Sequence, residues 1–182
     1  MSRSIRTVCL LSLCALMLVV ASVQAGEGHE AAIASAKSAA PAVIADGATI
    51  LGPEGEMLHE GTNGWVCRAE NAALGAMCNP PQWEALIGAL MAGEEPEIDG
   101  MGISYMLAGE GNAPGVSNID PAATEPTEDN QWVKEGPHLM IVVPDPAILE
   151  GMSTDPADPV YVMWKDTPYA HIMVRIAEAE HE

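Results

Sequence analysis

An α+β fold is predicted, a mostly antiparallel sheet with one well-capped amphipathic helix and long loops, and three observations predict it. Short, largely apolar runs of strand length recur over residues 103–107, 138–143, 160–164 and 171–176. One stretch, through Trp83, Leu86, Ile87, Leu90 and Met91, repeats at the i, i+3, i+4, i+7 spacing that puts side chains on a single helical face. Gly, Pro, Asn, Asp, Thr and Ala dominate residues 109–130, which read as a long loop of the kind that carries function or moves.

Residues 1–25 have the pattern of a secretory signal peptide. Arg3 and Arg6 precede an apolar run over residues 8–20, and Val23-Gln24-Ala25 supplies the small-x-small cleavage pattern. The run is shorter than the roughly 20 residues that span a bilayer, and no second run of that length follows, so integral membrane association is not expected. The expected location is periplasmic or secreted. Removing residues 1–25 takes away Cys9 and Cys14 and leaves Cys67 and Cys78, a lone pair that an oxidising compartment is expected to join as a disulfide. Residues 26–45 are rich in Ala, Ser, Glu and Gly and are expected to form a flexible or weakly helical leader outside the core. A single α+β domain is expected over residues 46–176, followed by a charged tail at 177–182.

Within the domain, residues 48–51 and 57–59 flank Gly52-Pro53-Glu54-Gly55, a turn cluster between two short strands. Asn63-Gly64 accepts the positive φ angles of a type I′ turn and predicts a hairpin over residues 57–68. The helix is expected to be capped by Asn79, with Pro80 at its first position and Gln82 completing a capping box, and to stop at Gly93. Asp145-Pro146 opens a short helical turn that Gly151 closes.

Charge excludes whole classes of function. Lys plus Arg number 7 against 26 Asp plus Glu, a formal charge of −19 that becomes −21 without Arg3 and Arg6. Such a field repels phosphates, so nucleic acid is not an expected partner and phosphorylated substrates are disfavoured. No Gly-x-Ser-x-Gly, HExxH or phosphate-loop motif occurs. The acids near residues 120–129 and 155–158 lack the alternating ligand spacing of an EF-hand and are expected to be solvated. These absences favour a non-enzymatic domain over a hydrolase-like enzyme with a histidine general base. A structural or interaction module without a site is the third reading, and the oligomeric state is left open.

Two predicted strands share one pattern. His138-Leu139-Met140 and His171-Ile172-Met173 each place an imidazole and a thioether on the same face of a strand. If the strands are neighbours, His138, Met140, His171 and Met173 form a candidate metal site, which Tyr161 and Met163 could join. Thioethers are soft ligands that favour Cu(I), and imidazole binds either copper oxidation state, whereas zinc prefers His, Cys and carboxylate. Copper is thus the expected ion and a small ligand or metal ion the expected partner. The competing expectation is packing: Met fills irregular cores, and this chain has no Phe. His59 in strand 57–59 reads as an exposed histidine. Trp65, Trp83, Trp132 and Trp164 read as core anchors.

Five blocks together carry a resemblance: Gly61-Thr62-Asn63-Gly64-Trp65-Val66-Cys67, Met77-Cys78, Gly136-Pro137-His138-Leu139-Met140, the segment 159–164, and Thr167-Pro168-Tyr169-Ala170-His171-Ile172-Met173. As a set they resemble a group of uncharacterised exported bacterial proteins, over roughly residues 46–176. The resemblance implies one exported domain and implies no activity, cofactor or site residue.

Overall fold

Short apolar strands pair into one large sheet, in the computed structural model that describes residue 26 and residues 28–178. The signal-peptide pattern and most of the charged tail lie outside these residues. The strands are β1 (Thr49–Leu51), β2 (Met57–His59), β3 (Val66–Arg68), β4 (Met77–Asn79) and β5 (Gly102–Met106). They continue as β6 (Val116–Ser117), β7 (Trp132–Val133), β8 (His138–Val142), β9 (Val160–Met163) and β10 (His171–Arg175). Eight of them form the order β2-β1-β3-β4-β5-β8-β10-β9, and β6 and β7 make a separate two-stranded ribbon. Every pairing is antiparallel except β1 with β3, which is parallel. The α+β class is therefore as expected.

Helices cover both faces. Residues 28–38 form α1 and Ala42–Ala45 form α2. The leader at 26–45 is thus helical, one of the two expected forms, but it is packed on the core and not flexible, which corrects the rest of that expectation. Ala36, Ala39 and Ala45 are buried against Ile50, Cys67 and Cys78, because a small Ala face lets a helix lie close to the sheet. Cys67 and Cys78 are cross-strand partners of β3 and β4 joined by a disulfide, S–S 2.01 Å. On the same face, farther along, Leu149 of a 3-10 turn (Pro146–Leu149) packs with Val162 and Ala170. Asp145 caps that turn, accepting from Ala147 N at 2.9 Å.

The opposite face is covered by α3 (Pro81–Ala92), through Trp83 and Leu86, and by Val116 and Val133 of the ribbon. Gly93 ends α3 as expected, in the left-handed conformation with φ 70°. Its start differs from expectation. Asn79 belongs to β4 and does not cap; its amide donates to Glu84 Oε1 at 2.9 Å and its carbonyl accepts from Ser104 Oγ. The cap position falls to Pro80, with no side-chain hydrogen bond. Met91, expected on the apolar stripe, is 84% exposed. The 57–68 hairpin also fails to form, since β1 lies between β2 and β3. Asn63 serves instead as a local brace, accepting from Trp65 N and donating to Ile44 O.

Candidate functional site

Four neighbouring strands build the candidate site as a grid on the face beneath α3. One row runs Met106, His138, Arg175, and the next runs Ser104, Met140, Met173, Tyr161. A third contains Gly102 paired with Val142, and His171 paired with Met163. All four expected ligands thus share one face of adjacent strands, with the thioethers of Met140 and Met173 directly opposite each other. The two histidines lie on different rows. His138 pairs with Arg175, four residues along β10 from His171, which separates the two Cα positions by roughly 13 Å along the strand. The antiparallel register causes this, because like-patterned strands running in opposite directions align their middles and part their ends.

Met77, Met106, Met140, Met163 and Met173 all belong to the buried cluster on this face, with Trp83, Leu86, Val142 and Tyr161. His138 and His171 are each 1% exposed. His171 sits between two indoles, its centroid 5.0 Å from Trp83 and 4.9 Å from Trp164, both edge-to-face. Trp83 is fixed by donating from Nε1 to Met140 O at 3.1 Å, and Trp164 by donating from Nε1 to Ser117 O at 2.8 Å.

Hydrogen bonding settles the tautomers. His138 Nδ1 is 2.7 Å from Gly136 O, and His171 Nδ1 is 3.0 Å from Tyr169 O. A carbonyl can only accept, so each Nδ1 carries the hydrogen and each neutral ring presents a bare Nε2 lone pair. Both Nε2 atoms are buried without a hydrogen-bond partner. An unsatisfied buried acceptor costs on the order of 1–3 kcal/mol, and this face has two. Burial holds the rings neutral. It pushes His171 down to about 4, against a smaller upward effect of the Tyr169 carbonyl and with a further downward one from His138. Burial also lowers His138, partly offset by the Gly136 carbonyl and the Glu135 carboxylate.

A polar network that the sequence did not reveal adjoins His138. Glu135 Oε1 accepts from Tyr161 OH at 2.8 Å and from Arg175 Nη2 at 3.0 Å, and Oε2 accepts from Arg175 Nε at 2.9 Å. Burial by itself would raise Glu135, but these donors together bring it below the ordinary carboxylate value. The same surroundings, burial first, push Tyr161 upward. Only the alternation of residues 171–175, which puts Arg175 on the face of His171, hinted at this network.

The other candidates resolve simply. His59 is exposed on edge strand β2, as expected. Two surface clefts, of about 520 Å³ and 230 Å³, are lined by segments 131–133 with 154–156 and by residues between 146 and 170, and neither is lined by His138 or His171. Such burial denies the imidazoles the direct approach to substrate that a general base needs. Among the described residues no group of three or more His, Cys, Asp or Glu is arranged to hold a metal. Imidazole and thioether, a soft combination, are the side-chain types that this face brings near one another. Among the same residues no helix is long and apolar enough to cross a membrane. No family model, curated protein or solved structure matches the chain.

Proposed function

We propose that this is an exported, non-enzymatic domain that binds Cu(I) on its His/Met sheet face. The observation that carries the reading is the pair of buried Nε2 lone pairs, unpartnered and set among thioethers. A histidine that binds metal through Nε2 commonly donates its other ring N–H to a backbone carbonyl, the arrangement of both His138 and His171. Neutral imidazole and thioether suit a soft monovalent ion, whereas Zn(II) would ask for thiolate or carboxylate and Cu(II) for tetragonal N and O donors. Export is supported by the leader pattern at 1–25 and by the Cys67–Cys78 disulfide, a bond rare in reducing compartments.

Competition against a chromogenic Cu(I) chelator under ascorbate, after alkylation of free thiols, tests the reading. The wild-type chain should retain Cu(I) but release Zn(II), and His138→Ala with His171→Ala should abolish retention while circular dichroism reports the fold. Complete surrender of Cu(I) by the wild-type chain would refute the proposal.

A further inference from the structure

If Cu(I) binds this face, as proposed above, the strand register and the lean of the rings favour separate ions for the two imidazoles. Donors that share an ion at bond lengths of about 2.0–2.3 Å lie within roughly 4.6 Å of each other. The strand register sets the Cα atoms of His138 and His171 roughly 13 Å apart along the sheet, with the Met140–Met173 pair between them, and each ring is tied by Nδ1 to the carbonyl two residues upstream, Gly136 or Tyr169, at the outer end of its strand. Each ring nevertheless has a thioether-bearing partner on its outer side. His138 pairs across strands with Met106 of β5, and His171 pairs with Met163 of β9. Directly paired residues on one face hold their Cβ atoms about 4.5–5.5 Å apart, a reach that an imidazole and a flexible Met chain can close around an ion. A second thioether lies two residues along the same strand and face, Met140 for His138 and Met173 for His171.

We infer that the face holds two separate Cu(I) centres, one formed by His138, Met106 and Met140 and the other by His171, Met163 and Met173. Met106 is thereby a metal ligand that the His-x-Met pattern does not announce, since it comes from another strand, and Met163 is a ligand as the sequence allowed. The donor sets are alike, one imidazole and two thioethers, but their surroundings are not. Glu135 and Arg175 adjoin the first, and the indoles of Trp83 and Trp164 flank the second.

The test is the stoichiometry and location of Cu(I) in the full-length chain after alkylation of free thiols, with the side-chain 15N resonances of the histidines as a second readout. Wild type should take up about two equivalents, with both Nε2 resonances shifted by the metal. Met106→Leu and Met163→Leu conserve volume and should leave folding intact. Each should drop uptake to about one equivalent, with only His171 Nε2 shifting in the first variant and only His138 Nε2 in the second. A single equivalent in wild type, or undiminished uptake by both variants, overturns the two-centre assignment while leaving Cu(I) binding itself intact. No uptake at all overturns the binding proposal and this assignment with it.

Discussion

Glu110 and Glu135 are both 5% exposed, yet their surroundings push them in opposite directions. Burial raises Glu110 above the ordinary carboxylate value, countered by Gly75 N–H at 3.3 Å and reinforced by the nearby Glu135 charge. Its contribution to stability is therefore fully present below the unfolded value and lost as pH rises through the raised folded one. Glu110→Gln should raise the melting temperature at pH 8, and the gain should vanish at pH 4. Glu135 behaves in reverse, contributing above the unfolded value and losing that contribution as pH falls. Because the Arg175 side chain is only 17% exposed, truncating Glu135 leaves a largely buried guanidinium unpaired. Urea denaturation of Glu135→Ala should show a loss of about 3–5 kcal/mol. His171, held at about 4 by burial, binds a proton less readily folded than unfolded. The metal-free protein should thus lose on the order of 3 kcal/mol between about pH 6.5 and 4 from this ring alone. His171→Leu should flatten that part of the stability profile; an unchanged slope would show that the ring is protonated equally in both states.

The elements draw their stability from different sources. Gly93 stops α3 at φ 70°, where any Cβ is strained, so Gly93→Ala should lower stability by about 1–2 kcal/mol in thermal unfolding. The Cys67–Cys78 bridge joins β3 to β4 across a separation of 11 residues, and replacing both cysteines by Ala should cost about 2–4 kcal/mol. Thiol counting on the unreduced protein should find neither of these two reactive. Strands β8, β9 and β10 were legible because a short apolar run is a local property, and the two-residue spacing of each His-x-Met made the shared face of each pair legible as well. Strand β4 was not, because Asn79-Pro80 is a capping signature by local rules. The sheet overrides it by satisfying the Asn79 amide with Ser104 and Glu84. Strand register is also non-local. The period-two pattern cannot say whether two histidines meet or part, and the pairing of Ile141 with Ile172 decides that they part. The Glu135–Arg175–Tyr161 network stayed hidden for the same reason, since its members are 26 and 40 residues apart.

At the scale of the whole molecule the dominant quantity is the charge of −19. Acids outnumber bases so far that most carboxylates have no cationic partner, and the described ion pairs number five, two of them sharing Arg175. Self-repulsion on this scale opposes the folded state, which packs the charges closer than the unfolded chain does. Salt weakens it, since the screening length falls from about 30 Å at 0.01 M to about 8 Å at 0.15 M. The exposed pairs Lys37–Asp46 and Lys165–Asp166 weaken too, but each contributes at most about 1 kcal/mol, and the buried Glu135–Arg175 pair is little affected. The melting temperature should therefore rise as NaCl is increased from 0.01 to 0.15 M. The same field draws cations toward the protein, so the rate of Cu(I) uptake from a cationic donor complex should fall over that range. The two responses have opposite signs because one charge distribution acts on the fold as repulsion and on the ion as attraction. A melting temperature that falls with salt would mean that the ion pairs, not the excess of acids, govern the electrostatics of this chain.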